Sequence, residues 1–166
     1  MEYALLQAVF LPLLLSPLAY IIGRKVGHTA ATWFTFGLLL YCTILVITAS
    51  IDGTYEEHYP WTELFGEFGL LLDGLAAPFA IMIYVLCTIL ALYSKPYMLH
   101  KFQDFFKEQA PKPVYQSDGT TLESISLEKF VNRQSGVYYA LFLVFSMGML
   151  GTVLATNLIE FYIFFE

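Results

Sequence analysis

The sequence predicts an all-α fold, a polytopic bundle of transmembrane helices. Three observations predict it. Hydrophobic residues make up 58% of the 166 residues and charged residues only 13%, against about 45–50% and about 25% in soluble domains. The apolar residues fall into continuous runs long enough to cross a bilayer core of about 30 Å, which takes roughly 20 residues of helix. All Lys and Arg lie outside those runs. Together these exclude a water-soluble globular domain and a disordered chain. The net charge of −6, from 14 acids and 8 bases, leaves no basic surface for a nucleic acid.

The first run is Tyr3–Ile22, with no charged side chain. It is not read as a cleaved signal peptide, because its only preceding charge is the acid Glu2 and a signal peptide needs a basic leader. Pro12 and Pro17 interrupt its hydrogen-bond ladder, which membrane helices tolerate. The second run is Ala31–Ile51, also uncharged. The connection after it carries Asp52, Glu56, Glu57, Glu63 and Glu67 and no base. The third run is Phe68–Ser94, with Asp73 near its start, where a carboxylate could be solvated or could cap the helix. The fourth is Val137–Thr156, and a fifth opens at Leu158 and runs to Glu166. In lipid the backbone must satisfy itself, so these runs are helices, and their continuity excludes an alternating β-barrel.

The segment 95–136 between the third and fourth runs is long. Tyr97–Gln109 has a helical apolar stripe, Pro111, Pro113 and Ser117-Asp118-Gly119 read as breaks and a turn, and Thr120-x-x-Glu123 has the form of a capping box for a helix to about Arg133. The expectation is two interfacial helices lying on the membrane; a docking surface for a cytoplasmic partner is the alternative. Arg24 and Lys25 follow the first run, and Lys95, Lys101, Lys107, Lys112, Lys129 and Arg133 follow the third. With alternating helices these two loops, 23–30 and 95–136, share one side. The positive-inside rule makes that side cytoplasmic and puts the N-terminus outside.

Three acids are candidate ion-path residues, since charge at membrane depth is costly. Asp73 and Glu160 are expected near the outer interface, with solvated or packing roles as the alternative. Glu166 is the primary candidate. It falls about 13 Å beyond Asn157 at about 1.5 Å per residue, close to the midplane. A carboxyl there must be neutral or paired with a cation from another helix, which suits a proton relay. A true C-terminus there would strand the last helix carbonyls in lipid, so the polypeptide is expected to continue, or a second chain to continue the helix. Catalytic and metal-binding residues are expected to be absent. Cys42 and Cys87 match no metal spacing, and His28, His58 and His100 read as scattered over loops on both sides. Gly148-Met149-Leu150-Gly151 is a small-x-x-small pattern, read as ordinary close helix contact.

The stretch from Tyr139 through Phe145-Ser146-Met147-Gly148, Ala155-Thr156-Asn157-Leu158 and Phe164-Phe165-Glu166 resembles the fourth and fifth helices of antiporter-like subunits. Those subunits occur in respiratory complex I, in Mrp-type sodium/proton antiporters and in membrane-bound hydrogenases. Leu72-Asp73-Gly74-Leu75-Ala76-Ala77-Pro78-Phe79 is similar to the opening of that family's third helix, and the likeness is nearest to the M-type (D-type in Mrp) subunit. The resemblance implies a bundle of about fourteen spans with two inverted five-helix repeats, of which this chain is the N-terminal five-helix part. Residues 1–136 would be three leading helices plus the loop, and residues 137–166 the start of the first repeat. The resemblance further implies that Glu166 pairs with a lysine on the seventh helix, which lies outside these residues. It implies a proton path, with sodium as the alternative ion. The chain itself would bind no cofactor. Its partners would be the lipid bilayer, the segment or chain carrying the remaining helices, and other membrane subunits of an antiporter or of an NADH-quinone oxidoreductase-like complex in the cell membrane. The competing reading is a structural or assembly subunit without its own ion path.

Overall fold

The computed structural model describes residues 3–51, 53–62, 66–109 and 120–166. In chain order the elements are α1 (Ala4–Lys25), α2 (His28–Ile51), β1 (Tyr55–Thr62), β2 (Gly66–Leu72), α3 (Ala76–Gln109), α4 (Thr120–Leu154) and α5 (Leu158–Phe165). Four helices are long and apolar enough to cross a membrane: α1, α2, residues Ala76–Phe106 of α3 and Leu127–Leu154 of α4. The chain is a multi-pass membrane protein built as a helical bundle.

The bundle turns ordinary polarity inside out. Leu14, Ile44, Ile89, Leu141 and Phe145 are exposed on the outside. The buried positions include Ala8, Ala19, Thr32, Thr35, Ser135 and Ser146. Lipid is as apolar as leucine, so helices associate through small residues and hydroxyl hydrogen bonds instead. Thr43 of α2 and Thr88 of α3 show this with hydroxyls 3.0 Å apart. The most extensive packing is α1 on α4. Gly23 and Gly136 meet at that crossing, where a Cβ on Gly136 would stand 2.7 Å from the Tyr20 carbonyl oxygen. Any larger residue there would push the two helices apart.

Two expectations are corrected. The third apolar run does not start a helix at Phe68: Phe68–Leu72 belongs to β2, and α3 begins at Ala76. β1 and β2 form an antiparallel hairpin, with Tyr55 opposite Leu72, Glu57 opposite Leu70 and Tyr59 opposite Phe68. Leu70 and Leu72 are fully buried against the helices, while Glu56 and Glu67 face outward. The apolar residues of 68–72 thus serve one face of a strand that covers the bundle end, and their continuity with the next helix hid the break. Asp52 and Glu63, expected in this connection, lie outside the described residues.

The second correction concerns 95–136. Tyr97–Gln109 is helical, but it is a straight continuation of α3 through Pro96, and α4 likewise extends upstream to Thr120. At 34 and 35 residues, each helix is about 50 Å long and overruns the bilayer core by about 20 Å. The apolar stripe of one extension meets that of the other, with the Phe106 and Phe130 rings 5.4 Å apart. That contact replaces the membrane surface as the cover for the stripes. The expected breaks at Pro111, Pro113 and Ser117-Asp118-Gly119 lie outside the described residues.

Candidate functional site

At the hairpin end of the bundle, α1 starts with bare backbone N–H groups, as every helix does. Glu57 of β1 supplies the cap from outside the helix. Its Oε1 accepts from Leu5 N–H at 3.0 Å and its Oε2 from Leu6 N–H at 2.9 Å. The Tyr59 hydroxyl donates to Oε2 at 2.9 Å. A carboxylate at a helix N-terminus also opposes the positive end of the helix dipole. Glu57 is buried, and burial together with this carboxylate pushes the Tyr59 phenol well above its usual range. Glu57 was read only as one acid of a loop. The signal that could have found it is the period-two placement with Tyr55 and Tyr59, which marks one face of a strand.

Glu160 is the second buried carboxyl, 1% exposed. It is neither solvated nor at an open interface. Oε1 accepts from Gly69 N–H at 2.9 Å and from the Asn157 amide at 2.7 Å. Oε2 accepts from Thr156 N–H at 3.2 Å and from the Thr156 hydroxyl at 3.3 Å. Asn157 meanwhile caps α5 by accepting from Ile159 and Glu160 N–H groups, and its amide also reaches the Glu67 carbonyl. Glu160 therefore ties α5, the turn before it and the hairpin into one unit. Gly69 is required at this approach, because a side chain there would collide with Thr156.

Beneath this unit, Phe10 of α1, Phe68 of β2 and Phe164 of α5 form a triangle with ring centroids 6.0–6.2 Å apart. Phe164 lies on α4 at Gly148 and Gly151, and its ring occupies the space a side chain at Gly151 would need. The small-x-x-small pattern is therefore a seat for α5 within the chain.

Asp73 precedes α3 instead of lying five residues inside it. Its Oδ1 accepts from Leu75 N–H at 3.0 Å and Ala76 N–H at 2.6 Å, an N-terminal cap. Glu166 lies at the end of α5, with its N–H bonded to the Tyr162 carbonyl. It borders a cavity of about 640 Å³ lined mainly by Ile83, Val144, Met147, Thr152 and Ile163. Its side chain is exposed, and among the described residues it meets no polar partner. The structure thus brings Glu160 and Glu57 onto the hairpin and leaves Asp73 and Glu166 apart from them.

The opposite end carries the basic residues and a group not anticipated. His28 is not in a loop: it opens α2 and is 6% exposed. Its Nδ1 lies 2.7 Å from the Ser135 hydroxyl of α4 and its Nε2 lies 2.8 Å from the Lys95 carbonyl of α3. The Asn132 side chain accepts from its backbone N–H at 3.2 Å. His58 sits in β1 between Glu56 and Glu67, and His100 is on the α3 extension. Among the described residues no group of three or more His, Cys, Asp and Glu could share a metal ion, and Cys42 and Cys87 are buried free thiols.

No family model matches the chain. It is 31% identical, over 162 residues and 95% of its length, to the A-type subunit of the Na+/H+ antiporter of Alkalihalophilus pseudofirmus. It is 26% identical, over 164 residues and 96% of its length, to the A1-type subunit of the Na+/H+ antiporter of Staphylococcus aureus. The chain spans only 16% and 17% of those relatives. Both relatives are A-type, whereas the motif likeness had pointed to the D-type subunit of the same superfamily.

Proposed function

We propose that this chain, a homologue of A-type Na+/H+ antiporter subunits in the superfamily shared with complex I and membrane-bound hydrogenases, forms part of an ion-translocating membrane subunit of an Mrp-type assembly. The observation that carries the reading is the match to antiporter subunits over 95% of the chain. In this reading Glu166 is the midmembrane carboxyl of the proton path. Its support is position: α5 is capped at Asn157, and Glu166 follows about 13 Å further on, after the apolar residues Phe161–Phe165. A carboxyl at such depth is expensive unless it is neutral or paired. The partner, a lysine, is assigned to helices beyond the described residues, which other membrane subunits would flank. The basic end, with Arg24, Lys25, Lys95 and Arg133, faces the cytoplasm of the cell membrane, and the hairpin end faces outward.

The test is Glu166→Gln in the assembled protein, which keeps size and removes ionisation. Proton-coupled cation exchange in sealed vesicles falls at least tenfold, at unchanged amounts of assembled protein. Unaltered exchange would leave the competing reading, a structural subunit without its own ion path. That reading is favoured by one observation: the buried carboxyls Glu57 and Glu160 are both engaged in holding elements together.

A further inference from the structure

At the basic end of the bundle, α2, α3 and α4 converge on one imidazole. Nε2 of His28 faces the Lys95 carbonyl at 2.8 Å. A carbonyl only accepts, so Nε2 carries a hydrogen. Nδ1 faces the Ser135 hydroxyl oxygen at 2.7 Å, and that same oxygen lies 2.7 Å from the Val131 carbonyl, to which it donates. Ser135 has one hydroxyl hydrogen and two positions that can take it. With a neutral ring, Nδ1 is a bare acceptor and satisfying it strips the hydrogen from Val131. With a protonated ring, Nδ1–H donates to Ser135 and Ser135 donates to Val131, so every contact is made at once.

We propose that His28 is a proton-binding site, with the Ser135 hydroxyl as the partner that reorients on each uptake and release. A proton arriving from water at this end forms the Nδ1–H bond. The Ser135 O–H turns from Nδ1 to the Val131 carbonyl, and release reverses both movements. No other bond changes. Exchange with water does not require crossing the bundle, because His28 borders a cavity of about 410 Å³ together with Lys95, Gln103, Glu128 and Asn132. The charged groups on that cavity are Lys95 of α3, which opposes a second positive charge, and Glu128 of α4, which favours it. From α1 the exposed Arg24 and Lys25 reach the same end, and α4 adds the exposed Lys129 and Arg133. On α2 itself the neighbouring polar groups are neutral. Thr32 and Tyr139 hydroxyls lie 2.7 Å apart one turn further in, so the ring sits at the head of the α2–α4 contact. This site is independent of the role given to Glu166.

The experiment is ¹⁵N magnetic resonance of the full chain labelled at histidine and held in liposomes, between about pH 5 and pH 8, with His28→Asn identifying the signals. The expected result is conversion of His28 from one protonated nitrogen to two as pH falls. Ser135→Ala lowers its proton affinity roughly tenfold by removing the acceptor of the charged N–H, and Ser135→Thr, which keeps the hydroxyl, retains the parent titration. A His28 ring that keeps a single protonated nitrogen throughout, or a midpoint unmoved by Ser135→Ala while Nε2–H remains bonded, overturns the proposal. Loss of exchange in Glu166→Gln with an intact His28 titration, or the reverse, separates the two assignments.

Discussion

Glu160 accepts the backbone N–H of Gly69 at 2.9 Å across 91 residues of chain. This bond joins α5 to β2, so the segment leading to Glu166 is positioned by a strand that lies outside the spanning helices. The hairpin is therefore part of the bundle's framework, held at one side by Glu57 on α1 and at the other by Glu160 on α5.

Replacing Glu160 by Gln turns one of its two acceptor oxygens into a donor facing donors. Leaving a buried polar group unpaired costs about 1–3 kcal/mol. The variant unfolds at lower temperature in detergent, and the Gly69 amide exchanges with solvent faster. Full protection of that amide in the variant would show that the bond does not hold the hairpin.

Glu57→Gln weakens the cap on α1. The expected loss is about 1 kcal/mol, seen as faster exchange at the Leu5 and Leu6 amides with the middle of α1 unaffected. The same change lowers the ionisation of Tyr59 towards its usual range, because burial and then the Glu57 carboxylate raise it. The neutral phenol is the form the fold favours. Its contribution to stability is complete below the unfolded tyrosine range and is lost as pH rises through the higher folded value. Stability should fall at alkaline pH in the parent protein and less so in Tyr59→Phe, measured by unfolding at pH steps above about 10.

Gly151→Val places two methyl groups where the Phe164 ring lies. Overpacking of this kind costs about 1–3 kcal/mol. Because the whole of α5 rests on that seat, the expected result is a displaced α5 with intact α1 and α2. Site-directed crosslinking between the fourth and fifth helices reads it directly, and an unchanged crosslink pattern argues against the seat.

Phe106→Ala removes the ring that meets Phe130 at 5.4 Å. An aromatic pair of this geometry contributes about 1 kcal/mol beyond its buried area. The extensions of α3 and α4 separate more readily, seen as faster proteolysis in 95–136 while the spanning segments stay protected. Resistance equal to the parent would return these segments to the membrane surface.

The helical bundle was legible in the sequence because transfer into lipid is a property of composition and run length. Four runs without Lys or Arg demand four spans whatever their neighbours do. Capping at Asn157 was equally local, since the acceptor and the N–H groups it serves lie within a few residues. Phe68–Leu72 was misread because a strand feeding straight into a membrane helix leaves no break in hydropathy. The pairing that makes it a strand, with Tyr55 through Pro60, is visible only across the turn. The roles of Glu57, Glu160 and His28 could not be read at all from nearby residues. Their partners stand 52, 91 and 107 positions away, and a carboxylate or imidazole becomes a clamp only when the approach of other elements removes its water. Composition thus decided that the chain lives in a bilayer, and where its helices run. Tertiary contact alone decided which of its ionisable groups are buried and bonded, because desolvation and hydrogen-bond direction exist only once separate segments have met.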